Sequence, residues 1–268
     1  MSEQYLHRGD APFADSVWEQ IDRAVVEAAK SQLSGRRILS TMGPFGLGFK
    51  AVPLSDSTAD GKTVEGVTVS GSGSIPLAML RSEFSLPARD IAAHEQSGVP
   101  LDLAEAAKAA MAVARQEDSL IFTGVGAATG LLNTPGTHTV KIKPWTEVGA
   151  AVDAVISAVT ELDNAGFHGP YTLALAPKLY NLLFRRYPQG NHTELEHVRQ
   201  IVVDGVIKAA GLSAGGVLLD TSAPFASIVL GQDLMTGFVG PAGCRYEFSI
   251  SETIALWIKQ PQAVCVLK

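Results

Sequence analysis

The sequence predicts an α+β fold in which segments far apart along the chain pack together. Helical periodicity governs a stretch after residue 15 and two more, near 102–122 and 145–165, whereas the last third is built of short β-type runs. The elements run in the order helix, β excursion, long helix, α/β insert, strands. No repeat and no low-complexity linker divides the 268 residues into independent domains.

The chain opens on a short arm, Leu6-His7-Arg8-Gly9-Asp10-Ala11-Pro12. Such an arm has no core of its own ahead of the first helix, so it is expected to dock onto another subunit. Ser16-Val17-Trp18-Glu19 fits a capping box that starts this helix, and Gly35 is a natural stop. Trp18, Ile21, Val25, Ala28 and Ala29 share one face, opposite Glu19, Asp22, Arg23, Glu27 and Lys30.

From 51 to 86, short β runs are split by Asp56-Ser57, Asp60-Gly61 and Gly71-Ser72-Gly73-Ser74. The stretch has little to build a core with, so it reads as a mobile loop or an arm ordered by a neighbour. Asp102-Leu103-Ala104-Glu105 opens an alanine-rich helix to about Phe122, suited to close backbone packing. A third helix is expected over 145–165, with Val148, Val152, Val155, Ile156, Val159 and Leu162 along one face. A strand at 171–175 follows, then a helix from Pro177 to Arg186, a polar loop at 187–192 and a further segment at 195–203. Strands are expected at 217–219, 227–230, 245–258 and 263–267.

Composition narrows the function. The chain is 46% hydrophobic and 18% charged, a low charge content that suits a surface lying against other protein. The net charge of −6, without a basic block, argues against nucleic acid as a partner. The first residues lack an apolar signal core, and no apolar run approaches the ~20 residues that span a bilayer. These features predict a soluble cytoplasmic protein. Two cysteines, Cys244 and Cys265, make neither a metal spacing nor a disulfide framework.

No catalytic constellation is legible. The six histidines include no His-Glu-x-x-His, and His192 and His197 are five apart, a poor ligand spacing on one helix. Gly71-Ser72-Gly73-Ser74 lacks the strand–turn–helix setting of a nucleophile elbow, and Gly43-Pro44-Phe45-Gly46-Leu47-Gly48 lacks the Lys-Ser/Thr of a phosphate loop. Cys244 stands in a turn with no histidine nearby in sequence. No catalytic, metal or cofactor residue is assigned.

The segment 6–46, with Gly35-Arg36-Arg37 and Gly43-Pro44-Phe45-Gly46, resembles the N-terminus of encapsulins, protein-compartment shell proteins with the HK97-type phage capsid fold. Glu117-Asp118…Ile121-Phe122-x-Gly124 is similar to the end of the encapsulin spine helix. Gly169-Pro170-Tyr171, Tyr187-Pro188, Gly231-Gln232-Asp233-Leu234, Gly237-Phe238 and Ser251-Glu252-Thr253 continue the pattern in order, over nearly the whole chain. The resemblance implies an HK97-like subunit in three parts. Residues 1–50, 81–133 and 226–268 would form a peripheral domain with the N-terminal helix, 51–80 an extended loop that pairs with a neighbour, and 134–225 an axial domain.

It further implies a self-assembling icosahedral shell of roughly sixty or more copies. Such a shell would enclose a cargo enzyme, such as a dye-decolorising peroxidase or a ferritin-like protein, held by a C-terminal targeting peptide. Carried over by position, the docking groove would involve Ala29, Leu33, Arg36, Ser40, Thr236 and Phe238. The bland alternative makes Leu33 and Phe238 core residues and pairs Arg36 with an acid that holds the fold. Gln189, Asn191, His192 and Glu194 would line a pore on the fivefold axis, where histidine adds pH sensitivity. The chain departs from some relatives in two places: Arg89 stands where they stack a flavin on tryptophan, so no flavin is expected, and the loop 186–194 is longer. A phage major capsid protein is the alternative, expected to need a long scaffolding segment for which a helix opening at Ser16 leaves no room. A protease or bacteriocin-like activity, described for some members, has no supporting residues.

Overall fold

The computed structural model describes residues 3–56, 62–64, 67–69, 71–126, 128–188, 190–222 and 225–268. In chain order these hold α1 (Asp15–Lys30), β1 (Ser40–Met42), β2 (Ala51–Asp56), β3 (Lys62–Val64), β4 (Val67–Val69), β5 (Ser72–Pro76), β6 (Ala78–Pro87), α2 (Ala88–Ser97), α3 (Ala104–Thr123), β7 (Gly124–Val125), β8 (Ala128–Thr129) and β9 (His138–Val140). There follow α4 (Ala150–Asn164), β10 (Tyr171–Leu175), α5 (Pro177–Leu182), α6 (Glu194–Ile201), β11 (Val206–Lys208), β12 (Gly216–Asp220), β13 (Ala226–Leu230), β14 (Met235–Ala242), β15 (Arg245–Ile258) and β16 (Val264–Leu267).

The long strand β15 organises one half of the molecule. Its first part pairs with β6 on one side, Arg245 opposite Pro87 through Ile254 opposite Ala78. On the other side it pairs with β14 and then β13, interrupted at 231–234, and β1 adds in parallel to β13. Phe248 and Ile250 of β15 and Phe84 of β6 pack beneath α1 and the alanine face of α3 (Ala106, Ala109, Ala110, Ala114). Alanines let the two helices and the sheet approach closely, as the composition of α3 predicts. Phe84 stacks on Phe248, with ring centroids 4.9 Å apart.

The other half is a sheet ordered β11-β10-β12-β16-β9, with α4, α5 and α6 around it. Every residue of β10, β12 and β16 is buried, so these strands carry continuous apolar runs in place of alternation. A third apolar cluster joins the halves: Ile38, Leu120, Ile121 and Phe122 meet Ala174, Ile207, Val217, Ile228, Ile254 and Val264.

Several expectations are revised. The arm does not extend away: Leu6 is buried, its carbonyl accepts from the N–H of Phe238 at 2.8 Å, and Gly237 is the close-approach point, where a Cβ would lie 3.0 Å from that carbonyl oxygen. An apolar Leu6 finds its partner on its own chain, so the arm is an intramolecular edge contact. The Ser16 capping box is absent. Ser16 lies inside α1, Ala14 is the N-cap residue without a side-chain cap, and Ala14 N–H instead donates to Glu95 Oε1 at 2.7 Å. Gly35 is not the helix stop. α1 ends at Lys30, and Gly35 is required because a Cβ there would meet Ile121 Cδ1 at 2.4 Å. The third helix starts at Ala150, after Gly149 at φ 104°, which leaves Trp145 in the segment before it. Its buried face holds Val155 and Leu162 as expected, together with Ala151 and Ala158, while Ile156 is exposed. Helix α5 stops at Leu182, four residues short of Arg186. The helix α2 and the strand β14 carry too weak a periodicity to be read in advance. Strand β16, placed by the sequence with 226–258, hydrogen-bonds instead to β12 and β9.

Candidate functional site

A groove of about 230 Å³ lies between α1 and the start of β14. Val25 and Val26 of α1 form one wall, and Leu234, Met235 and Thr236 the other, with Arg8 and Asp22 at its end. Arg8 Nη2 donates to Asp22 Oδ2 at 2.7 Å, and its guanidinium lies 4.2 Å over the Trp18 ring. The arm is thereby pinned beside the groove. Val26, on the helix side that otherwise carries Glu19, Asp22 and Arg23, is 40% exposed. Apolar walls closed by one polar pair suit an apolar segment whose register a few polar contacts set.

Of the six residues expected to dock a peptide, only Thr236 lines this groove. Its Oγ1 is buried without a hydrogen-bond partner among the described residues. Ala29 faces inward from α1 and Leu33 packs partly buried on the same core. Phe238 is in the aromatic cluster with Phe13, Tyr246 and Phe248. Ser40 is exposed on β1 and shares a hydroxyl contact of 3.1 Å with Ser227. The groove residues missed in the sequence are Arg8, Asp22, Val25, Val26, Leu234 and Met235. A valine among the charged residues of an amphipathic helix was the signal available, and Val26 gives it.

Arg36 is the centre of a buried ionic cluster instead of a groove residue. Its Nε donates to Glu117 Oε1 at 2.8 Å, its Nη2 to Glu117 Oε2 at 3.0 Å and to Glu252 Oε1, and its Nη1 to Asp233 Oδ1 at 2.8 Å. Glu117 and Glu252 are fully buried. Beside them Asp118 accepts from Ser34 Oγ and from the N–H groups of Ser34 (3.0 Å) and Gly35 (2.9 Å), which fixes the turn after α1 to α3. Burial raises the Asp118 pKa while those hydrogen bonds oppose the rise. Burial, then the charge of Glu117, pushes Glu252 up to about 9, with Arg36 pulling the other way. Asp233 also accepts from Leu234 N–H at 2.8 Å, so the cluster reaches the wall of the groove.

The loop 186–194 has a different anchor. Glu194 was expected to line a pore, but it is fully buried. Its carboxylate accepts from Gly149 N–H at 2.7 Å and from Arg185 Nε and Nη2 at 3.1 and 2.9 Å. Arg185 also donates to the carbonyls of Leu182, Trp145, Thr146 and Glu147. The capping box that starts α6 is Thr193 with Glu196, which leaves Glu194 free to point inward. Asn191 and His192 are exposed, while Gln189 lies outside the described residues. His192 precedes α6 and His197 is on it, with ring centroids 6.1 Å apart, so the two do not share a helix.

A cavity of about 630 Å³ is elsewhere: Ile142, Trp145, Leu179, Leu182 and Val266 line it with Lys178 and Ser213. Burial pushes the Cys265 thiol up to about 12, the reverse of an activated nucleophile. No group of three potential metal ligands occurs among the described residues, and none of their helices is long and apolar enough to cross a membrane.

Comparison with known proteins places this architecture. The model of the family described as encapsulating protein for peroxidase matches residues 3–255. The type 1 encapsulin shell protein EncA of Myxococcus xanthus is 31% identical over 278 residues, 98% of this chain and 96% of that protein. The crystal structure of a virus-like particle from Pyrococcus furiosus is similar with a TM-score of 0.75 at 23% identity, covering 94% of this chain and 99% of that one. The capsid of Myoviridae phage XM1 is similar with a TM-score of 0.60 at 15% identity, covering 85% and 88%. These two likenesses establish the HK97-type capsid fold. The full-length match to the family model and to a curated shell protein establishes more: this chain belongs to the encapsulin shell-protein family.

Proposed function

We propose that this chain, a structural shell protein and not an enzyme, closes into a cytoplasmic icosahedral compartment. Its groove between α1 and 234–236 captures the C-terminal targeting peptide of a cargo enzyme. The observation that carries the docking reading is the exposed Val26 opposite Leu234 and Met235, closed at one end by the Arg8–Asp22 pair. In this reading Ala29, Leu33 and Phe238 shape the groove from beneath, and Arg36 positions its far wall through Asp233. A peroxidase cargo suits the description of the family, and a ferritin-like protein is the second candidate.

Three parts follow in the same proposal. The peripheral part takes 1–50, 81–133 and 226–263. The axial part takes 134–225 and the strand β16, which adds to its sheet. The hairpin of β2 and β5 is the extended loop. Among the described residues of this hairpin only Val52 is buried, and a two-stranded ladder is marginal alone, which suits pairing with a neighbouring subunit. The exposed Asn191 and His192 are the pore candidates that remain.

A reporter protein fused to the C-terminal peptide of a candidate cargo, co-expressed with the chain, tests the docking. Reporter that sediments with the particles supports the groove, provided that Val26→Asp particles of normal size lose it. Equal loading of both particles contradicts it.

A further inference from the structure

The cluster around Arg36 is out of charge balance. One guanidinium faces the carboxyls of Glu117 on α3, Glu252 on β15 and Asp233 in the loop before β14. Asp233 is half exposed and solvated. Asp118 is held by donors of its own from Ser34 and Gly35. On the neighbouring strand β6, Arg81 and Glu83 pair with each other at 2.9 Å, and Leu80 stands opposite Glu252. No second cation among the described residues therefore serves Glu117 and Glu252, both of which accept from the same Arg36 Nη2.

Glu117 uses both carboxylate oxygens on Arg36, as an ionised bidentate partner does. Glu252 uses one, and its Oε2 is buried with no partner among the described residues. An unpaired, buried oxygen of an ionised carboxylate is costly, whereas protonation of Glu252 beside Glu117 removes that charge.

We propose that Glu117 and Glu252 hold one proton between them at neutral pH, so that the junction of the post-α1 turn, α3 and β15 is a protonated carboxyl pair under a single arginine. The cluster then carries one net negative charge, on Asp233, at its solvated edge. The proton is bound on folding, because an unfolded glutamate releases it at an ordinary pKa, near 4.3. Between about pH 5 and about pH 9 the folded chain holds more protons here than the unfolded chain, so this site lowers stability as pH rises through that window. Glu252→Gln replaces the protonated acid with a neutral amide of nearly the same shape, and it removes the dependence.

Infrared difference spectroscopy of assembled particles tests this directly. The wild type is expected to show a protonated-carboxyl C=O band at pH 7 that is lost on titration above about pH 9 and is missing from Glu252→Gln particles. Glu117→Gln serves as the second variant if Glu252→Gln does not assemble, and it also removes the band. In parallel, the wild-type melting temperature falls relative to Glu252→Gln as pH rises from 6 to about 9. A wild type without an acid band that either substitution removes, or parallel melting profiles, overturns the proposal.

Discussion

Arg36 and Arg185 are both about three-quarters buried, and each reaches a fully buried glutamate. Around Arg185 the charges match one to one, and its guanidinium also donates to four backbone carbonyls. Around Arg36 three carboxyls converge, and no carbonyl among the described residues takes part. The Arg185 pair fastens a loop to the start of α4. The Arg36 cluster joins elements brought from three parts of the sequence, and its acids exceed what one cation balances. The difference teaches that equal burial of an ion pair does not imply equal behaviour. The count of charges around each arginine decides whether a proton is needed.

The largest effect expected is from Arg36→Ala, which strands two buried carboxyls. Denaturation should show a loss of about 3–5 kcal/mol, or no assembled particle at all. Glu194→Gln breaks the matched pair and should cost about 1–3 kcal/mol. Gly35→Ala probes the same junction without touching charge. Its methyl meets Ile121, and a melting shift equivalent to about 1–3 kcal/mol is expected. Glu252→Gln should be nearly silent at neutral pH and stabilising relative to wild type near pH 9. If Glu252→Gln at pH 7 costs as much as Glu194→Gln, the contrast between the two arginines is wrong. The smallest effect on stability, within about 0.5 kcal/mol, belongs to Val26→Asp at the exposed groove. The same change should weaken peptide capture about tenfold, the loss expected from one buried apolar contact.

Much of the fold was legible because its signals are local. The inward face of α1 (Trp18, Ile21, Val25, Ala29) and the span of β15 follow from periodicity. The alanines of α3 announced close packing before any partner was known. What failed was set by distant contacts. The true N-cap of α1 is satisfied by Glu95, eighty-one residues away, so the nearby Ser16–Glu19 pattern misled. The arm finds β14 of its own chain through a contact across more than two hundred residues.

The site divided along the same line. That Arg36 pairs with an acid was open from the sequence as the alternative to docking, but the number of acids was not, since Glu117, Asp233 and Glu252 converge only in three dimensions. Glu194 looked like a loop residue because four polar residues precede it, and the inward turn depends on Arg185 and Gly149. Val26 was visible as an apolar residue among charged ones, yet its partners Leu234 and Met235 are two hundred residues on.

The mass of the purified full chain in solution tests the account most directly. At 28.2 kDa per subunit, a closed icosahedral shell of the smallest kind should appear by mass photometry near ~1.7 MDa, with larger shells at higher discrete masses. A homogeneous monomer or dimer at micromolar and higher concentrations would contradict it.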